Sequence, residues 1–136
     1  ADTAAFALSE VRFGIIPATI GPYVVAAIGA RQARRYFLTA ERFGAAEAQR
    51  IGLVHDVVPA AELRAVADRV LAGLAGNGPK AMAEAKALIR AIAGRPIDDA
   101  LIDDTARRIA RVRATDEARE GLAAFLEKRK PSWSGI

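Results

Sequence analysis

The chain has no cysteine and a single histidine among its 136 residues. That removes disulfides, clustered Cys/His zinc sites and Cys-His nucleophile systems, and leaves one imidazole for any Ser-His pair. His55 stands between Val54 and Asp56 and reads as a polar strand or loop residue with no assigned role. No apolar run approaches the roughly 18 residues that would span a bilayer, and no basic segment followed by an apolar stretch opens the chain. These absences predict a soluble, cytoplasmic protein without membrane contact. Internal repeats and low-complexity linkers are also missing. Charge of one sign is scarce: 20 Lys and Arg face 16 Asp and Glu, for a net +4. The basic residues are interleaved with acids, as where Asp103 and Asp104 precede Arg107 and Arg108 by four positions, which makes solvated helix pairs. A nucleic-acid surface would concentrate bases on one face with stacking aromatics. Carboxylates are therefore the acid-base groups this chain has to offer.

What is present is ordinary globular composition, 52% hydrophobic and 26% charged, in a chain long enough to bury a core. The first part mixes short strands and helices. A strand is expected over Ala5 to Val11, then a turn from Gly14 to Pro17 and a helix start at Gly21-Pro22. Tyr23 to Ile28 predicts a short helix broken by Gly29. A second helix should run from Arg31 to Leu38 with Ala33 and Phe37 inward and Arg31, Arg34 and Arg35 in water. Glu41 to Phe43 suggests a strand, Ala45 to Arg50 a helical turn closed by Gly52, and Leu53 to Val58 another strand.

From Pro59 the period becomes helical. Leu63, Val66, Ala67, Val70, Leu71 and Leu74 make one stripe, ended by Gly76-Asn77-Gly78. Pro79 opens a second helix with Met82, Ala85, Ile89 and Ile92 inward, and Pro96 a third with Ile97, Leu101, Thr105, Ile109 and Val112. Thr115 can cap a fourth, which should bury Leu122, Phe125 and Leu126. The division is residues 1–58 for an α/β part and 59–136 for a helical region. The narrow stripes leave apolar surface for a partner.

Glu10 is the residue to explain. It is the lone acid in Phe6-Ala7-Leu8-Ser9-Glu10-Val11-Arg12-Phe13-Gly14-Ile15-Ile16-Pro17, at the expected strand end just before the turn. A carboxylate there is costly unless it is paired or takes part in chemistry. Two readings stand, an edge-strand Glu with its head in water and an acid-base group.

Downstream lie Leu38-Thr39-Ala40, Ala45-Ala46-Glu47-Ala48, Gly52-Leu53-Val54 and the closing Gly121-Leu122-Ala123-Ala124-Phe125-Leu126-Glu127-Lys128-Arg129-Lys130-Pro131. Together with the Ser9-Glu10 strand end and its turn, and in this order, these segments resemble the enoyl-CoA hydratase/isomerase family, the crotonases. The resemblance spans nearly the whole chain. It implies an α/β, α-rich fragment, in which the end of a strand-strand-helix spiral is followed by a C-terminal helical trimerisation region. It implies a 2-enoyl-CoA thioester as substrate with no further cofactor and no metal. It also implies a homotrimer or hexamer.

By the same resemblance Glu10 is the catalytic acid-base residue, and Pro17, Ala18, Phe125 and Lys128 are substrate-binding, Lys128 toward the CoA phosphates. On their own residues, Phe125 at helical spacing with Leu122 reads as helix core rather than ligand surface, and Lys128 as a cation complementing a helix C-terminus. The family's two oxyanion-binding backbone donors and its second glutamate belong to a half upstream of this segment. No glutamate occurs within Ala1 to Ser9, and Asp2 is too near Glu10 to serve. The isolated chain is accordingly expected to be inactive. Ala18-Thr19-Ile20-Gly21-Pro22 departs from the family's glycine-rich turn and looks like hydratases for branched, carboxylated substrates such as methylglutaconyl-CoA. A non-catalytic oligomerisation module and an enoyl-CoA isomerase are the competing readings.

Overall fold

The computed structural model describes residues 1–135 and is an α/β arrangement dominated by helices. It divides into two compact units, one through Ala67 and the other from Asp68. Among the described residues no helix is long and apolar enough to cross a membrane.

In the first unit, strand β1 (Ala5–Phe6) pairs antiparallel with β2 (Phe43–Gly44), Ala5 opposite Gly44 and Phe6 opposite Phe43. The expected strand to Val11 is therefore cut short. Glu10 does not end a strand but opens a 3-10 turn, Glu10–Phe13, closed by Gly14 in a left-handed conformation (φ 73°), with the Gly14 N–H returning to the Val11 carbonyl and the Ile15 N–H to that of Glu10. Helix α1 (Gly21–Thr39) carries Pro22 in its first turn. It is broken at Gly29 (φ 73°, ψ 158°), as the sequence led one to expect, so two helical segments follow each other. Its buried residue near the C-terminal end is Tyr36, with Phe37 only half-buried, a shift of one position from the expected pattern.

Helix α2 (Ala45–Arg50) follows directly from β2. The core joins Val24, Ile28, Ala33, Tyr36, Phe43, Ala48 and Ile51, with the Phe43 ring 4.2 Å from that of Tyr36 and 5.7 Å from that of Phe6. Leu53 to Val58 forms no strand. The N–H groups of Leu53 and Val54 turn back to the carbonyl of Ala48, which caps α2 instead of offering a ladder.

The expected helices all form: α3 (Leu63–Ala75), α4 (Pro79–Ile92), α5 (Asp99–Arg113) and α6 (Asp116–Leu126). The expected cap Thr115 accepts the Ala118 N–H at 3.2 Å, whereas α5 opens not at Pro96 but three residues later, where Asp98 accepts the Leu101 N–H at 2.8 Å and Ile97 is left 87% exposed. Glu117, in the first turn of α6, also accepts the Lys80 and Ala81 N–H groups at 3.0 and 2.7 Å and so caps α4.

The apolar stripes, however, are largely uncovered. Val70 and Leu71 of α3 are 53% and 60% exposed, and Ile89 of α4 is 62% exposed. Helix α6 does not bury Leu122, Phe125 and Leu126, which are 51%, 79% and 77% exposed. Its packed face carries small residues instead, with Ala124 buried and the Trp133 ring lying over Gly121. Leu122, although half exposed, lines the hollow that α6 shares with α4, α5 and Trp133.

Candidate active site

The turn after β1 brings Glu10, Pro17 and Ala18 into one stretch of the first unit. Pro17 is buried and Ala18 exposed. The Pro17 carbonyl accepts the Gly21 N–H at 2.8 Å, which ties the turn to the start of α1. Glu10 is half-buried, and its Oε2 atom is fully screened from solvent with no hydrogen-bond partner among the described residues. Such an atom is costly to leave unmatched, since a buried acceptor without a donor forfeits about 1–3 kcal/mol. The edge-strand reading, with the carboxylate in water, therefore does not describe this oxygen.

Beside the turn lies a hollow of about 340 Å³ lined by Val11, Ile16, Pro17, Ala18, Pro22, Phe37 and Leu38 together with Gly21. No charged side chain lines it. The one cation of the turn, Arg12, donates from Nη2 to the Ala40 carbonyl at 2.9 Å.

Behind this surface is a polar network that the sequence reading did not anticipate. The buried Tyr36 hydroxyl donates to Glu47 Oε1 at 2.5 Å, and Arg50 donates to both Glu47 oxygens. The Arg50 guanidinium, then the Tyr36 hydroxyl, hold the Glu47 carboxyl down at about 2. The same bond to Glu47, together with burial, raises the Tyr36 hydroxyl above the usual phenol range. The sequence signal was present in part, because Glu47 and Arg50 stand at i, i+3 on α2.

Phe125 and Lys128 belong to the second unit. Phe125 is exposed, which removes its core reading within this chain. Lys128 follows α6 in a left-handed conformation (φ 55°), with its N–H bonded to the Phe125 carbonyl at 3.2 Å. The neighbouring Arg129 makes paired bonds of 2.7 and 2.9 Å to Glu120, which also accepts the Ser132 N–H at 2.9 Å. These partners hold Glu120 at about 2. A larger hollow of about 790 Å³ lies among α4, α5, α6 and Trp133.

Comparison with known proteins bears on this arrangement. Carnitinyl-CoA dehydratase of Escherichia coli K12 is 34% identical over 139 residues, covering 99% of this chain and 53% of that protein. An enoyl-CoA hydratase structure from Shewanella pealeana superposes with a TM-score of 0.91 at 47% identity, over 96% of this chain and 48% of that one. The Pseudomonas aeruginosa AtuE structure gives 0.91 at 44%, over 98% and 52%. The chain thus spans about half the length of the relatives it matches. The family model for enoyl-CoA hydratase/isomerase matches residues 1–135, and with the turn, the helical order and these relatives in agreement, the chain belongs to that family.

Proposed function

We propose that this chain supplies the acid-base carboxylate of an enoyl-CoA hydratase. The observation that carries the reading is Glu10 Oε2, a carboxylate oxygen screened from solvent and without a hydrogen-bond partner among the described residues, on a turn whose next residue, Val11, lines an apolar hollow. Hydration adds a hydroxyl at the β-carbon and a proton at the α-carbon of a 2-enoyl thioester. Glu10 delivers that proton, or removes it in the reverse elimination, and relatives named hydratase and dehydratase move water in these two directions.

The hollow formed by Ile16, Pro17, Ala18 and Phe37 suits a branched apolar acyl group. Arg12 is engaged at Ala40, so a carboxylated branch of the methylglutaconyl type would draw its counter-charge from outside these lining residues. Lys128 serves the CoA phosphates as a point charge. The exposed Leu122, Phe125 and Leu126 support assembly into a trimer or hexamer, with Phe125 against the CoA moiety or a neighbouring subunit.

The test is Glu10→Gln in the complete enzyme, which keeps shape and hydrogen-bonding capacity but cannot exchange the proton. Turnover of 2-enoyl-CoA should fall roughly 10²–10⁴-fold with CoA-ester affinity retained. Near-normal turnover would overturn the assignment.

A further inference from the structure

Arg12 stands two residues after Glu10 in the same 3-10 turn. The hydrogen bonds around the turn are otherwise local: the Arg12 N–H goes to Ser9, the Gly14 N–H to Val11 and the Ile15 N–H to Glu10. Among the described residues, the bond from Arg12 Nη2 to the Ala40 carbonyl at 2.9 Å is the hydrogen bond that carries this turn across to another element, 28 positions along the chain. Ala40 is the residue that ends α1. It is 2% exposed, takes a left-handed conformation (φ 51°) and gives its N–H to the Tyr36 carbonyl at 3.2 Å. A guanidinium at this point meets the C-terminal end of a helix, whose dipole favours a cation.

The far side of the bond is firmly seated. Tyr36 is 1% exposed, its ring packs on Phe43, and its hydroxyl is tied to Glu47.

We infer that Arg12 is a positioning residue, a latch between the Glu10 turn and the C-terminal end of α1 that fixes where the Glu10 carboxylate points. The inference rests on the reading of Glu10 as the acid-base group. A displacement of about 1 Å in a catalytic constellation can cost ~10²-fold in rate, so a single tether at this place reaches the chemistry without touching substrate. Lysine can reach a carbonyl but offers a point donor on a flexible stem rather than a planar fork, so it should hold the turn less well.

The experiment uses the complete enzyme and a straight-chain 2-enoyl-CoA with no carboxylate in its acyl group, with kcat and KM measured for Arg12→Met, Arg12→Lys, Glu10→Gln and the Arg12→Met/Glu10→Gln double variant. Arg12→Met keeps the apolar stem and removes the donors. It should lower kcat roughly 10–100-fold with KM changed by less than about 2-fold, and Arg12→Lys should recover part of the loss. Because Arg12 acts through Glu10, adding Arg12→Met to Glu10→Gln should cost less than about a further 2-fold, a coupling that a purely structural role would not produce.

Independent, multiplying losses, or a wild-type kcat in Arg12→Met beside an inactive Glu10→Gln, would overturn the latch and leave the Glu10 reading standing. A Glu10→Gln enzyme of near-normal turnover would instead overturn the reading on which the latch rests. If Arg12→Met does not fold, Arg12→Lys decides. An intermediate kcat loss of about 3–10-fold at constant KM supports the latch, and an unchanged kcat refutes it.

Discussion

Gly14→Ala isolates the backbone cost of the turn that carries Glu10. Gly14 has φ 73° and ψ 17°, and a methyl group built there would meet no atom within 4 Å. The substitution therefore introduces no clash, and its effect comes from the conformation alone. An L-residue in the left-handed region costs roughly 1–2 kcal/mol, offset by about 0.4–1 kcal/mol from the narrower unfolded ensemble that alanine brings. The net expectation is a destabilisation of about 0.5–1.5 kcal/mol.

Gly44 supplies the control. It too has open space at its Cβ position, but at φ −90° and ψ 179° its backbone is one that alanine adopts freely. Gly44→Ala should be neutral or stabilising by up to about 1 kcal/mol. Urea unfolding followed by circular dichroism, at fixed protein concentration, gives both numbers on one scale. Gly14→Asn should fall between wild type and Gly14→Ala, since asparagine tolerates the left-handed region better. If Gly14→Ala proved as stable as Gly44→Ala, the left-handed cap would not be what shapes this turn.

Two further outcomes are expected. Phe43→Ala removes a ring that packs 4.2 Å from Tyr36 and 5.7 Å from Phe6, and should cost about 3–5 kcal/mol by chemical denaturation; a loss below about 1 kcal/mol would contradict this core. Glu120 is held at about 2 by Arg129 and the Ser132 N–H, below its ordinary 4.5, so it contributes stability that is present above about 4.5 and is lost as pH falls through about 2. The melting-temperature deficit of Glu120→Gln should therefore be full at pH 6 and shrink across that window, and an equal deficit at pH 6 and pH 2 would refute the ion-pair account.

Sequence patterning was most legible where local chemistry acts alone. The break at Gly29, the helix openings at Pro22 and Pro79, and the cap at Thr115 depend on one or two residues' own preferences, and each appears where those residues stand. It was least legible where neighbours decide. The run from Leu53 to Val58 alternates well enough for a strand, yet its first N–H groups close the end of α2 and leave no ladder to join. On α6, periodicity identified an apolar stripe but not its surroundings. The buried residue of α6 is the small Ala124, and Leu122, Phe125 and Leu126 stay largely exposed. The i, i+4 spacing of Ala33 and Phe37 points to Phe37 as inward, but Tyr36, at i+3, takes the core position and brings a hydroxyl that Glu47 satisfies. For the site, the order of short motifs pointed to Glu10, whereas the latch at Arg12 could not be read, because it depends on a carbonyl 28 residues away.

The core of the first unit and its candidate chemistry are mechanically connected, and this bears on how damage to each should differ. Tyr36 is held on one side by Phe43 and on the other by Glu47, and Tyr36 in turn receives the N–H of Ala40, whose carbonyl receives Arg12. Packing free energy thus fixes the end of α1, and that end fixes the turn, with each link made by a different type of interaction. Close-packed interiors transmit displacement instead of absorbing it, so an enlarged cavity at Phe43 should be felt at Ala40 before the fold is lost. The dependence runs mainly one way. Loss of the Arg12 bond removes a tether at the surface and leaves the Tyr36–Phe43 packing in place, so it should disturb the direction of the Glu10 carboxylate far more than the stability of the unit. The Glu10 oxygen that is screened and has no hydrogen-bond partner among the described residues thus sits on a turn tied to a neighbouring helix end, from which it draws stiffness.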